Sequence, residues 1–218
     1  KVSPTCSQLG LASLRAQSLY NWYMSDTPTL LQTKLAMYAD DTAIYAQSFS
    51  SEAANARIRV HLHILSQYWE RWKVKLNGPK TELINFHVKI NDTNIFSPIR
   101  VNGTAVYPRD TITYLGIRLD SRMNFRANTS YLMQKAYLAC RPLYPLLCSN
   151  SRLSAENKVM LYKQIIRPTL SYACPLWAGI SSTQRKRYQV YQKKLLRLAT
   201  GGDRYSRIAE LHDTAGIP

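Results

Sequence analysis

The apolar residues of this chain change their spacing once, near Asp120, and that change limits the fold more than any other feature. Before it, short runs of β-branched and aromatic residues read as strands around one long helical stripe; after it, every run is helical. The stripe is Ala54, Ile58, Leu62, Leu65, Trp69, Trp72 and Leu76, spaced by three or four, with Ser50 or Ser51 placed to cap it and Glu52 in its first turn. The strands are "LAMYA" and "TAIYA", joined at Ala39-Asp40-Asp41, then "TELINF" (81–86) and two further single strands around 99–107 and 111–120. The aromatic-rich 17–26 reads as a short helix closed by Thr27-Pro28. Helices are expected near 125–148, 154–176 and 183–199, with Pro168 and Pro175 bending or ending the second and Gly201-Gly202 stopping the third. The expectation is an α+β fold: an antiparallel sheet backed by the 51–76 helix, then an all-helical region.

Few function classes survive the composition. No stretch approaches the ~18 apolar residues of a membrane span, and residues 1–17 have no signal-peptide layout. Cys6, Cys140, Cys148 and Cys174 contain no C-x-x-C pair, so free thiols are expected rather than a zinc site or a disulfide framework. The Asn-x-Ser/Thr triplets at Asn91, Asn102 and Asn128 are read as chance. The charge is uneven: residues 1–120 hold 13 basic and 9 acidic side chains, residues 121–218 hold 16 and 4. A basic half of that kind suits a polyanion, most often nucleic acid.

Two chemistries compete for Asp40 and Asp41. Adjacent aspartates at a hairpin tip are ordinary turn residues, one carboxylate capping the loop. Held on a rigid hairpin, they also repel each other unless a cation lies beside them, and magnesium takes such oxygen ligands together with substrate phosphates. Two magnesium ions in that setting activate a 3′-hydroxyl and stabilise a leaving pyrophosphate. His61 and His63 lie two apart on a helix and point to different faces, so they share no metal. In 183–199, Tyr188, Tyr191, Leu195 and Leu198 gather on one face and Lys186, Lys193 and Arg197 on the opposite one, flanked by Arg185, Arg187 and Lys194. A solvated face usually mixes signs; this segment has six cations and no acid, which favours phosphate contact over mere solubility.

"YADD" within "LAMYADDTAIYA" resembles the catalytic motif of reverse transcriptases, and more narrowly the jockey-type non-LTR retrotransposons of insects. "LYNWYMSD" (19–26), "LSQYWERWKVKLNGPKTELINF" (65–86), "YLGIRLD" (114–120), "LYKQIIRPTLSYACPLWAG" (161–179) and "YQKKLLRLATGG" (191–202) are similar to that family's segments in the same order. The resemblance implies a partial polymerase palm over 1–120, with 1–17 unmatched, and a helical thumb and downstream region over 121–218. It implies RNA-directed DNA polymerisation with two Mg2+ ions, an RNA template, a DNA primer and deoxynucleotides, inside the cell, in the nucleus or a cytoplasmic ribonucleoprotein. Residue by residue, it gives Asp40 and Asp41 the metal, Tyr38 the primer end and incoming nucleotide, and Lys80 the leaving pyrophosphate. Tyr114, Leu115 and Gly116 would shape a primer grip.

The departure from the family matters as much. Its further metal-binding aspartate on an earlier strand has no counterpart before Asp40, where Asp26 is the sole acid and sits in the segment matched to "LYNWYMSD". Its glycine- and glutamine-rich template loop has no counterpart either. The expectation is therefore a C-terminal fragment, inactive alone and completed by the missing upstream part of the polymerase. The alternative is a non-catalytic, basic nucleic-acid-binding relic.

Overall fold

The computed structural model describes residues 22, 24–86, 98–202, 207, 211, 213 and 216. Of the proposed helix over 17–26 only Trp22 and residues 24–26 are described, the last three as a turn, and Cys6, His87, Asn91 and His212 lie outside the described residues. The chain divides into two compact units, Lys1–Asp110 and Thr111–Pro218. It is mixed α and β, with small antiparallel sheets and helices.

In the first unit, β1 (Lys34–Tyr38) and β2 (Asp41–Tyr45) pair antiparallel, Lys34 opposite Tyr45 and Tyr38 opposite Asp41. Helix α1 (Ser51–Arg71) comes next, and Ser50 Oγ caps it by accepting from Ala53 N at 3.3 Å. The helix stops five residues short of the stripe. Val74 N returns to Trp69 O and Lys73 N to Glu70 O, with Lys73 in the left-handed region at φ 59°, a Schellman ending in which Val74 also packs by Trp69. Leu76 still reaches the core, but from the loop.

Two expected strands turn out to be hairpins. The 99–107 run folds at Asn102-Gly103 into β3 (Ile99–Val101) and β4 (Thr104–Val106). The 111–120 run folds at Leu115-Gly116, in the second unit, into β5 (Thr111–Tyr114) and β6 (Ile117–Asp120). Both tips place their two residues at positive φ (47° and 78°; 47° and 76°), as a two-residue type I′ turn requires. Asn-Gly is the strongest short signal for that turn, and it stands in the sequence. Residues 81–86, by contrast, form no strand; Leu83 makes an isolated parallel bridge to Pro108, beside an Arg109–Glu82 ion pair at 2.6 Å.

The second unit is built on helix α2 (Arg126–Leu147), whose start is fixed by the buried Asp120 carboxylate accepting from Asn124 N (2.9 Å) and Phe125 N (2.6 Å). Asn128, one of the glycosylation-like triplets, is buried and accepts from Arg118 N. The 154–176 region is not one helix. It runs as α3 (Ala155–Leu161), a π turn at Tyr162–Ile166, α4 (Arg167–Ser171), a break at Tyr172-Ala173, and α5 (Cys174–Trp177). The π turn lies just before Pro168, whose ring and missing N–H rule out the α-helical bond to the Gln164 carbonyl within that turn. Helix α6 (Ser182–Thr200) ends on Gly201 at φ 69°. Leu132, Ala136, Tyr162, Ile166, Leu170, Leu196 and Ala199, all at most 2% exposed, join these helices in one core. The first unit has two smaller clusters, around Leu65 and Trp69 and around Ile99 and Val101.

Candidate functional site

Side chains alternate along β1 and β2, so the register sorts them into two faces. Leu35 and Ile44 share the face that packs on Met24, Leu65 and Trp69. Tyr38 and Asp41 lie on the other, with Lys34 and Tyr45, whose ammonium and ring approach to 6.0 Å. Tyr38, Asp40 and Asp41 are all exposed. Ala39, at φ 51°, holds a backbone conformation that costs an L-residue ~1–2 kcal/mol. Neither aspartate carboxylate makes a hydrogen bond or ion pair with another described residue. The capping role that the turn chemistry requires is therefore unfilled, and both carboxylates are open to a ligand.

Helix α1 holds this hairpin at its root. His61 is fully buried; its Nε2–H donates to Pro28 O at 2.9 Å, and its Nδ1 faces the Thr33 hydroxyl at 2.7 Å, one residue before β1. One turn earlier, Arg57 donates to Gln47 O at 2.6 Å, two residues after β2. Residues four apart on one helical face thus fasten both ends of the hairpin. The stripe leaves His61 out because it is polar, although its spacing of four from Leu65 was readable. His63 is exposed and pairs with Gln67.

Lys80 is exposed and closes a 3₁₀ turn, Gly78–Lys80, in which Asn77 Oδ1 accepts from Lys80 N at 3.2 Å. Gly78 wedges that turn under the β3–β4 tip: a Cβ there would lie 2.9 Å from Thr104 Oγ1 and from Val101 O. Among the described residues no group of three or more His, Cys, Asp or Glu converges to hold a metal ion. Asp40 and Asp41 fit a magnesium site of the kind that relies on one or two carboxylates plus substrate phosphates.

In the second unit, Tyr114, Leu115 and Gly116 form the β5–β6 tip. Tyr172 Oη donates to Leu115 O at 2.8 Å, and its ring lies 3.5 Å from where a Gly116 Cβ would stand. The helix break puts Tyr172 there: its own ψ of 126° leaves the helix, and Trp177 Nε1 donates to its carbonyl at 2.8 Å. Nothing in the spacing of 154–176 pointed to that tyrosine.

Helix α6 is less one-sided than its sequence. Lys186 is exposed, but Lys193 and Arg197 are half-buried, because Leu196 and Ala199 extend the buried face towards them and the last turns sit among α2, α3 and the π turn. The exposed cations are Arg185, Lys186, Arg187 and Lys194. Beneath them, burial pushes the phenols of Tyr188, Tyr162 and Tyr191 up, as it does the Cys140 thiol. Cys140, Cys148 and Cys174 are free. No described helix is long and apolar enough to cross a membrane.

No family model matches the chain, and no solved structure does. Curated proteins do. It is 26% identical over its whole length to the RNA-directed DNA polymerase from mobile element jockey of Drosophila melanogaster, of which it covers 24%. It is 29% identical, over 89% of its length, to the probable RNA-directed DNA polymerase from transposon X-element of the same fly, covering 22% of it. A probable RNA-directed DNA polymerase from transposon BS, also of that fly, is 29% identical over 88% of this chain and covered for 21%. The chain spans about a quarter of the length of the curated relatives it matches. Over most of its length, then, the chain is similar to the RNA-directed DNA polymerases of jockey and related non-LTR retrotransposons, the family its motifs resemble.

Proposed function

We propose that this chain is part of an RNA-directed DNA polymerase of a non-LTR retrotransposon, residues 1–120 belonging to the palm and 121–218 to the thumb and downstream helices. One observation carries the reading: an exposed aspartate pair at the tip of a root-clamped hairpin, with neither carboxylate engaged, within a sequence similar to such polymerases. Asp40 and Asp41 would hold Mg2+, which when bound activates the primer 3′-hydroxyl and stabilises the leaving pyrophosphate. Tyr38, on the same face as Asp41, would line the primer end and incoming deoxynucleotide. Lys80 would bring positive charge to the pyrophosphate, and Tyr114, Leu115 and Gly116 would position the DNA primer. Helix α6, with Lys186, Lys193 and Arg197, would contact the phosphates of template or primer. The work is done inside the cell, in the nucleus or a ribonucleoprotein.

Two carboxylates do not complete the family's metal site, so these 218 residues alone should not extend a primer. Incorporation of deoxynucleotides on an RNA template should appear only when the upstream part of a related polymerase is added in trans, and Asp40→Asn should then abolish it. The loss should exceed the ~10–100-fold that outer-shell partners of metal sites cost. Extension by the chain alone would overturn the incompleteness; restored activity that survives Asp40→Asn would take Asp40 out of the metal site. The second reading, nucleic-acid binding without catalysis, is favoured by the exposed cations of α6 and requires RNA binding that no upstream segment converts into synthesis.

A further inference from the structure

The first two turns of α2 and of α6 line an open cavity of about 270 Å³ in the second unit. Arg126, Arg187, Ser130 and Thr183 are among its lining residues, and none of the lining residues is acidic. Neither arginine has an ion-pair partner, and neither hydroxyl a hydrogen bond, among the described residues. Two cationic side chains therefore border the cavity with no counter-charge among its lining residues.

We infer that this cavity is a binding site for a phosphate group. The guanidinium fork matches two phosphate oxygens at once, and the hydroxyls can donate to a third. The volume exceeds that of one phosphate, which leaves room for the atoms esterified to it. The group can reach the cavity as a phosphodiester of nucleic acid or as free phosphate. The inference rests on reading the second unit as nucleic-acid binding, but names a place separate from Lys186, Lys193 and Arg197.

The test uses the whole chain, a short labelled single-stranded RNA and inorganic phosphate. Arg126→Gln with Arg187→Gln should weaken RNA binding about tenfold more than Lys135→Gln with Arg141→Gln, an equal charge loss from exposed positions of α2. The plot of log affinity against log salt should become shallower by about 0.7, one single-strand phosphate. Inorganic phosphate, compared with chloride at matched ionic strength, should raise the melting temperature of the wild type and not of the cavity variant. RNA weakening without a phosphate effect assigns the cavity to a phosphodiester. A phosphate effect through these arginines in a chain that binds no RNA keeps the site and removes the nucleic-acid reading. Equal affinity, slope and phosphate response in the cavity and control variants overturn the site. Should the Gln pair fail to fold, Arg126→Lys with Arg187→Lys decides, since it keeps the charge and removes only the fork; RNA affinity, slope and phosphate response equal to wild type then overturn the site, and weakened binding supports it.

Discussion

Two hairpins with two-residue tips are held in opposite ways. The β1–β2 hairpin is fastened at both roots by His61 and Arg57 of one helix, while its tip carries two unengaged aspartates. The β5–β6 hairpin is fastened along β6, where Asn128 takes Arg118 N and Arg118 lies 4.3 Å from the Tyr131 ring, and again at its tip by Tyr172. Each tip strains a non-glycine residue, Ala39 at 51° and Leu115 at 47°. Strain at a pinned tip is compensated by the contacts that pin it. At a free tip it must be tolerated by the rest of the hairpin, which is the pattern expected where side chains are presented to a ligand.

The difference can be broken most strongly with alkali. Burial raises the phenols of Tyr162, Tyr188 and Tyr191 above their ordinary value of 10.0, so the unfolded chain releases those protons first. The phenols' contribution to the stability of Thr111–Pro218 should be full below pH ~10 and fall as pH rises from there towards the folded-state values, because the unfolded state then binds fewer protons, on top of a smaller loss that the buried Cys140 thiol begins near its ordinary value of 9.0. Near-ultraviolet circular dichroism against pH would read the loss, and with it the release of the pinned hairpin. A unit that keeps its signal well above pH ~11 would remove these phenols from the ionisation balance.

His61→Ala should loosen the β1–β2 hairpin at its root, at a cost of about 3 kcal/mol from the cavity and the stranded Thr33 and Pro28 groups. Hydrogen exchange at Lys34–Tyr38 should rise while β5–β6 is unaffected. Next comes Gly116→Ala. A Cβ there meets Tyr172 at an ordinary 3.5 Å, so the penalty is the backbone alone, about 1–2 kcal/mol, or roughly 4–8 °C per kcal/mol in melting temperature. The smallest effect belongs to Tyr172→Phe, which leaves the ring and removes one partly exposed hydrogen bond, about 1 kcal/mol. Primer extension by the complemented enzyme should fall more than stability does, if the pinned tip positions the primer; equal responses would make Tyr172 structural only.

Local chemistry fixed much of this molecule. The 51–71 helix and its serine cap, the hairpin at Asp40-Asp41, the α2 and α6 helices and the Gly201 stop all rest on interactions within a few residues, where period and capping residues act directly. Asn102-Gly103 was equally legible, since the turn it makes needs no distant partner. Other features depended on residues far apart in the chain. Leu115-Gly116 turns where Tyr172, 57 positions on, supplies a donor to its carbonyl. His61 is core because Pro28 and Thr33 satisfy both its nitrogens; without them the same residue would belong on the surface. Lys193 and Arg197 sit half-buried because α6 is packed on more than one side, which a helical projection of one segment does not contain. Arg126 and Arg187 lie 61 positions apart and share a cavity through helix packing alone. Periodicity reports which face of a segment is apolar; which polar side chains meet across segments is decided when those faces pack, by whichever donors and acceptors would otherwise be buried unpaired.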